Sequence, residues 1–467
     1  YRFGNNFIKS FVGVSYSKSD SYLKGNSFER VSGRGNFDIN LTKNLKATLS
    51  TSLSRGLVYR VPQAWSGGLG LAQSNALPIF PIYKNQFPTN SCQYDSTGYY
   101  NLYANPVAQR EYTDYRTREW RAINSLNISY LPSQNWTISV QGNYDYSLLG
   151  DYQLEQKQWT GTTNIAKAYE GKINNFSSFA TAEYRMPFNN KNHDLRILGG
   201  VEYQNYNVKR RDFEIDSAVG QIYNVSEYRN MVEENSPYRD QEIWRFASTF
   251  AKVNYNLSNK YFAQLVFRRD GSSKFGRNKR FANFPSVGLG YIMSEEPWFN
   301  KNIVNYLKLK ASWGRSGNSN IPYSEQWATF DYSVPGQVNN GLSYNGLPTS
   351  VQRKFANPNL SWEVATTTEG GFDIGLFNDR ISAGVTYYYK LTTDALLRIA
   401  LQASTGFEDL NYYSNVGKIE NKGLEFEFTS RNITNKNFSW TTEFNIAFNK
   451  NKVLDVGTAT PDALDGG

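Results

Sequence analysis

The sequence contains very few of the residues on which catalytic and metal sites most often depend. Its 467 residues include one cysteine, Cys92, and one histidine, His193. A single cysteine excludes an intrachain disulfide and a zinc site built from cysteines. A Ser-His-Asp site would have to be built around His193, which falls in a predicted short turn. We therefore expect that the chain is not an enzyme and that it uses no cofactor and no metal.

Long hydrophobic runs are also missing. No stretch approaches the roughly 18 consecutive apolar residues that a membrane-spanning helix requires, and mean hydropathy is -0.59. Aromatic residues nevertheless make up 16% of the chain. The net charge of +9 is scattered along the sequence and forms no basic stripe, which argues against nucleic-acid binding. An aromatic-rich chain that is hydrophilic on average is typical of strands with one lipid-facing and one water-facing side.

The clearest pattern that is present is alternation with a period of two. In the segment 31–53, VSGRGNFDINLTKNLKATLSTSL, apolar residues or glycines occupy every second position from Val31 to Leu41. After a short turn the alternation resumes at Leu45. The intervening positions, which include Arg34 and Asp38, are polar. Because successive side chains of a strand point to opposite faces, the segment predicts a hairpin with one apolar and one polar face.

The same pattern recurs along the whole chain. With a leading strand, the hairpins predict about fifteen strands, at residues 11–16, 31–41, 45–53, 120–130, 136–146, 176–186, 195–203, 247–255, 261–267, 287–291, 307–313, 366–376, 381–389, 424–428 and 438–448. A soluble β-sandwich would account for one such hairpin. Many arms have about ten residues, which exceeds the usual soluble strand and matches a tilted strand that crosses a bilayer.

The predicted connections favour a membrane barrel over a sandwich. Turns inside the hairpins are short, whereas connections between hairpins are expected to run to dozens of residues, the longest within 55–119 and 314–361. Short turns at one end and long loops at the other are typical of outer-membrane β-barrels. Aromatic pairs such as Tyr130 and Trp136 bracket short turns, where an interfacial girdle would lie. In a barrel, the polar face with Arg34 and Asp38 lines a wet lumen.

Several segments are more specific than the alternation. In chain order they are RRDGSSKFG (268–276), NFPSVGLGYIMSEEPWF (283–299), LKLKASWGRSGN (307–318), NPNLSWEVATTTEGGFDIGLFNDRISAGVTYYYKLTTDALL (357–397), NKGLEFEF (421–428) and FNKNKV (448–453). Together they resemble the SusC-like, or RagA-type, TonB-dependent outer-membrane transporters of the Bacteroidetes. The first half of the chain resembles the same family more loosely.

The resemblance implies an all-β fold, a transmembrane antiparallel β-barrel of 22 strands with long extracellular loops and short periplasmic turns. It implies that residues 1–467 are part of such a barrel domain, with the N-terminal plug and the final strands outside this chain. The expected location is the cell outer membrane.

The expected function is TonB-dependent active import of oligomeric nutrients, either glycans or peptides. A SusD-like lipoprotein lid and the TonB complex, acting through the absent plug and its TonB box, are the expected partners. A passive porin without a plug is the alternative.

Aromatic side chains in the predicted long loops are the candidate substrate-binding residues, because aromatic faces stack on sugar rings and on peptide side chains alike. They are Trp65, Tyr99, Tyr100, Tyr103, Trp327 and Tyr332. Packing of these rings against other loops or against the lid is the competing interpretation.

A second expectation concerns the end of the strand at 261–267. Arg268, Arg269 and Asp270 are expected to form one polar cluster that anchors the adjoining loop. Gly271 is expected to adopt the left-handed conformation of a turn.

Overall fold

The computed structural model describes residues 2–61, 82, 105–156, 164–217, 240–332, 343–344, 347–406 and 411–457. Within these ranges the chain is almost entirely β-strand, with one short helix, α1 (Pro106–Tyr112). No helix in the described ranges is long and apolar enough to cross a membrane.

Sixteen strands form one antiparallel sheet in which neighbours in the chain are neighbours in the sheet. They are β1 (Arg2–Gly4), β2 (Ile8–Asp20), β3 (Ser27–Asn40), β4 (Leu45–Arg60), β5 (Thr113–Ser133), β6 (Trp136–Glu155), β7 (Asn164–Arg185), β8 (His193–Ser217), β9 (Asp240–Leu257), β10 (Tyr261–Ser272), β11 (Phe281–Ile292), β12 (Val304–Asn318), β17 (Glu363–Leu376), β18 (Ile381–Ala400), β19 (Asn411–Thr434) and β20 (Ser439–Asp455). The fifteen predicted strands correspond to β2–β12 and β17–β20 of this sheet.

Four short strands lie between β12 and β17 and form two separate ladders. Strand β13 (Thr329–Tyr332) pairs with β16 (Ser350–Lys354), and β14 (Ser343–Tyr344) pairs with β15 (Leu347–Pro348). The main sheet therefore runs from β12 directly to β17, and the intervening segment forms structure of its own.

The chain divides into two compact units. The first contains residues 1–129, 141–178 and 205–243, and the second contains residues 130–140, 179–204 and 244–467.

In the first unit, the predicted two-faced hairpin is confirmed by the register of β3 with β4. Phe37 pairs with Leu49 on one face, and Asp38 pairs with Thr48 on the other. The Thr48 hydroxyl donates a hydrogen bond to the Asp38 carboxylate over 3.0 Å. Apolar and polar side chains are thus separated by the pleat, as the period of two requires.

In the second unit, the register aligns apolar residues in rows across many strands. One row passes through Ala263, Leu289, Ala311, Gly370, Tyr387, Leu424 and Phe448. We call the face that carries this row the apolar face, and the opposite one, with Gln264, Lys310 and Glu425, the polar face. Leu289 and Phe448 are 58% and 60% exposed. A contiguous exposed apolar face of this size suits hydrocarbon and not water.

The short connections lie at one end of the strands of the second unit. Residues 258–260 join β9 to β10, and residues 377–380 join β17 to β18. Ser258, Asn259, Phe377, Asn378 and Asp379 all have positive φ angles of 54–59°, which tighten these turns. The expectation that connections between hairpins run to dozens of residues holds for 61–112, 218–239 and 319–362, whereas 21–26, 156–163 and 273–280 are short.

The main apolar core of the second unit lies at the end opposite these turns. Phe275, Phe284, Ile321, Leu360 and Trp362 form one buried cluster. The Trp362 ring lies 4.8 Å from the Phe275 ring and 5.6 Å from the Phe284 ring, between ring centroids. The cluster joins two connections, 273–280 and 319–362, that are far apart in the sequence.

Backbone hydrogen bonds fasten the same two connections. The Gly276 amide donates to the Leu360 carbonyl over 2.9 Å, and the Asn278 amide donates to the Pro358 carbonyl over 3.2 Å. The Trp362 indole nitrogen donates to the Arg280 carbonyl over 2.9 Å. We call this arrangement, residues 273–280 fastened to 357–362, the loop clasp. The loop clasp therefore brings two of the segments singled out in the sequence, those that begin at residues 268 and 357, into contact.

Gly276 has no room for a side chain, because an added Cβ would lie 2.1 Å from the Pro358 carbonyl oxygen. Gly276→Ala should therefore force the clasp apart and lower the free energy of unfolding by about 2 kcal/mol or more. Gly288→Ala is the matched control, since a Cβ there meets nothing within 4 Å. Urea unfolding of both purified variants measures the difference, and equal stability would contradict the clasp.

The difference between the two faces of β10 leads to a second prediction. Leu265 lies on the apolar face midway between Tyr261 and Arg269, and Gln264 is its neighbour on the polar face. Leu265→Arg should cost about 2–4 kcal/mol of stability in a bilayer, because it places a charge among acyl chains. Gln264→Arg should cost little. Refolding of each variant into lipid vesicles measures both values, and equal costs would contradict a lipid-facing assignment.

Candidate functional site

The polar face of the second unit lines a recess of about 800 Å³. Its charged side chains come from separate strands: Asp194 and Arg196 from β8, Lys308 and Lys310 from β12, Glu369 from β17, and Glu425 and Glu427 from β19. They converge because each occupies an alternate position on its strand and the register aligns the strands.

Glycines enlarge the recess. Gly288, Gly290 and Gly384 line it without contributing a side chain. An added Cβ at Gly288 would meet no atom within 4 Å, so the space in front of this glycine is open. The recess is therefore not filled by side chains at this position.

Positive and negative groups are interleaved on this wall. The Lys310 ammonium lies 2.8 Å from a carboxylate oxygen of Asp373. The Ser312 hydroxyl donates a hydrogen bond to Glu369 over 3.2 Å. Both partners of the ion pair are more than one-third exposed, so their charges remain available to water or to a ligand. The wall thus offers both donors and acceptors, as a surface for a hydroxyl-rich or amide-rich molecule needs.

Above the recess on the same face, Arg268 organises a partly buried ionic cluster. Its guanidinium donates to Asp270 over 2.6 Å, to the Ser248 hydroxyl over 2.7 Å and to Glu202. Its carbon Cζ lies 5.5 Å from the centroid of the Phe250 ring, within cation–π range. Three hydrogen-bonding side chains and a ring thereby share one cation.

Two details of the expected cluster are wrong. Arg269 lies on the apolar face, over the Phe281 ring at 5.4 Å, because adjacent residues of a strand point to opposite sides. Gly271 is the next-to-last residue of β10 and is not among the described glycines with positive φ. Packing instead requires a glycine at position 271, because an added Cβ would lie 2.4 Å from the Phe281 ring.

Trp327 is the one predicted binding residue whose side chain the structure describes. It lies ahead of β13 and is 54% exposed. Its neighbours fix its position: the buried Gln326 side chain donates to the Ser273 carbonyl, and Glu325 forms an ion pair with Lys354 at 2.8 Å. Trp327 is therefore an exposed ring on a segment held against the loop clasp. An exposed ring on a fixed backbone can stack on a ligand with little loss of entropy.

The other predicted binding residues remain untested. Tyr332 is the last residue of β13, and its side chain is outside the described part of the structure. Trp65, Tyr99, Tyr100 and Tyr103 lie outside the described residues altogether.

The opposite end of the second unit carries the single histidine. His193 begins β8, and its Nδ1 lies 2.8 Å from the Tyr255 hydroxyl. The described residues contain no group of three or more His, Cys, Asp or Glu side chains that could hold a metal ion.

Glu296 ties the β11–β12 connection to β10 at this end. The Tyr261 hydroxyl donates to its carboxylate over 2.5 Å, and the Lys260 ammonium lies at 3.5 Å. The hydrogen bond from Tyr261, followed by the charge of Lys260, holds the pKa of the Glu296 carboxyl below its ordinary value. Trp298 in the same connection is 67% exposed, as an interfacial ring would be.

The sequence comparisons all identify TonB-dependent receptors. Residues 64–466 match the family model described as TonB dependent receptor-like, beta-barrel. The chain is 30% identical to TonB-dependent receptor P3 of Formosa agariphila, over 99% of this chain and 45% of that protein. It is 26% identical to TonB-dependent receptor SusC of Bacteroides thetaiotaomicron, over 95% of this chain and 45% of that protein.

Solved structures share the fold. A structure of the RagAB peptide transporter matches 97% of this chain and 50% of its own chain, with a TM-score of 0.79 and 19% identity. The ferric citrate transporter FecA matches 97% of this chain and 56% of its own, with a TM-score of 0.55 and 11% identity.

This chain spans about half the length of the curated relatives that it matches. The match to the family model nevertheless covers most of the chain, and the antiparallel sheet with one apolar and one polar face is the architecture of that family. The chain therefore belongs to the TonB-dependent receptor-like β-barrel family, and it is a SusC-like transmembrane β-barrel of the outer membrane.

Proposed function

We propose that this chain forms part of the barrel of a TonB-dependent importer that takes up oligomeric nutrients, glycans or peptides, across the outer membrane. The observation that carries the proposal is the match of residues 64–466 to the receptor family. The polar recess supports it, because a lumen wall with interleaved lysines and carboxylates can pass hydroxyl-rich or amide-rich molecules.

A SusD-like lipoprotein is the proposed partner at the cell surface, and the TonB complex is the proposed source of energy. Relatives named SusC and RagAB support the first of these, and the family description supports the second. The RagAB transporter is described as a peptide transporter, which favours peptides, while the exposed Trp327 ring suits sugars and peptides equally.

Uptake by living cells separates this proposal from a passive porin. Cells that produce the receptor are given labelled peptides and labelled oligosaccharides, each larger than a porin admits. Import should stop when TonB is deleted or the proton gradient is collapsed, and it should fall when the neighbouring lipoprotein gene is deleted. Uptake that continues without TonB would show that the protein is a passive porin. Whether the labelled peptides or the labelled oligosaccharides enter the cells identifies the substrate class.

Trp327 is the proposed stacking residue at the external mouth of the barrel. Trp327→Ala should weaken substrate binding by about tenfold, because a stacked aromatic ring contributes roughly 1 kcal/mol or more. The measurement is the concentration of labelled substrate that half-saturates receptor on intact cells.

The matched control is Trp298→Ala. Trp298 is also an exposed tryptophan in a connection of the second unit, but it lies at the short-turn end of β12. Its replacement should leave substrate binding unchanged. Unaltered binding in Trp327→Ala, or equal losses in the two variants, would remove Trp327 from the proposed site.

A further inference from the structure

On the apolar face of the second unit, lysines follow the last large apolar residues. This change occurs at the strand ends away from the short turns. Along β20 this face presents Trp440, Phe444, Ile446 and Phe448, and then Lys450. Lys452 follows at the next position on the same face. The change from large apolar groups to lysines occurs within two residues.

The spacing places these lysines at the lipid headgroups. Strand β20 follows the short connection 435–438, and a tilted strand crosses the hydrocarbon layer in roughly ten residues. Trp440 is near the first boundary of that layer, where tryptophan is favoured. Lys450, ten residues on, therefore emerges at the second boundary, on the side of the long external connections.

The neighbouring strand adds a third lysine to this patch. Lys422 pairs directly with Lys450, and Glu420 pairs with Lys452. Glu420 already has two partners. Its carboxylate lies 3.1 Å from the Lys422 ammonium, and it accepts a hydrogen bond of 3.1 Å from the Tyr389 hydroxyl. Within the described part of the chain, Lys450 makes no ion pair. Three lysines and one glutamate leave the patch with excess positive charge.

A cross-strand lysine pair is unfavourable by itself. Like charges directly opposite each other on one face of a sheet destabilise it. Here the repulsion between Lys422 and Lys450 would be strongest where water is scarce, at the edge of the apolar face. Glu420 offsets the charge of one lysine only, and a bound anion would offset the rest through charge-assisted hydrogen bonds.

One further cation lies close to this level of the apolar face. The row that contains Lys422 and Lys450 continues through Tyr389 and Thr368 to Trp313. Arg315, two residues beyond Trp313, has its carbon Cζ 5.9 Å from the Trp313 ring centroid. The boundary between apolar and cationic side chains is thus a level shared by several strands.

We propose that Lys422, Lys450 and Lys452 bind the phosphate group of a glycolipid of the outer leaflet. The patch continues directly into the apolar face, where Leu424 and Phe448 pair across the same two strands. A phosphate held by the lysines places its acyl chains along these residues. A free phosphate would gain the charge contacts but none of the apolar contacts, so the lipid is the occupant that uses both.

Binding of bisphosphoryl lipid A to the detergent-purified receptor tests the proposal. The Lys422→Gln and Lys450→Gln double variant should bind it about tenfold more weakly or worse, since each lysine near an anionic surface contributes roughly 1 kcal/mol. The control is the double variant Lys308→Gln and Lys390→Gln, which removes the same charge from the polar face of β12 and β18. This control should bind lipid A as the wild type does.

Three results would overturn the proposal. They are equal weakening in the two double variants, equal binding of dephosphorylated lipid A, and displacement of lipid A by equimolar inorganic phosphate, which would indicate a general anion site. If the double variant fails to reach the membrane, the single variant Lys452→Gln and the salt dependence of wild-type binding give the same test. Binding that is insensitive to both would exclude a site built from these lysines.

Discussion

Hydrogen bonding of the backbone in hydrocarbon is the constraint on which the rest of this structure depends. A bilayer offers no water to an unpaired N–H or C=O group, so strands must satisfy one another along their whole length. The long antiparallel ladders, with registers that continue over a dozen residues, meet that requirement. Once the ladders are fixed, each side chain is assigned to lipid or to water by its position alone, and the sequence must alternate accordingly.

This dependence explains which features could be predicted from the sequence. The hairpins, their short turns and the two faces follow from alternation, because it is a local property of each strand. The expected cluster of Arg268, Arg269 and Asp270 was wrong only where it ignored the same rule, since Arg269 points to the other side. The sequence pattern itself contained the correction.

The loop clasp could not be predicted in this way. Phe275 and Leu360 belong to connections without periodicity, and their contact depends on how two distant loops meet in space. The motifs that contain them were visible as a family resemblance, but their pairing was not. The candidate aromatic residues show the same limit, since only Trp327 has a described side chain and its exposure depends on the clasp beneath it.

Charged side chains have different energetic roles on the two faces of the sheet. On the polar face, Lys310 and Asp373 are paired but exposed to water, so their interaction is weak. On the apolar face, the same type of side chain is confined to the boundary with the headgroups, where its position is fixed by the thickness of the membrane.

Both ends of the 319–362 connection are held at the clasp. Ile321, at its start, and Leu360, near its end, are buried in the same apolar cluster, so the loop leaves and returns at one fixed place. The residues between these anchors can change in length and composition while the sheet keeps its register. Surface connections tolerate such changes far better than strands do, so sequence variation here costs the fold little.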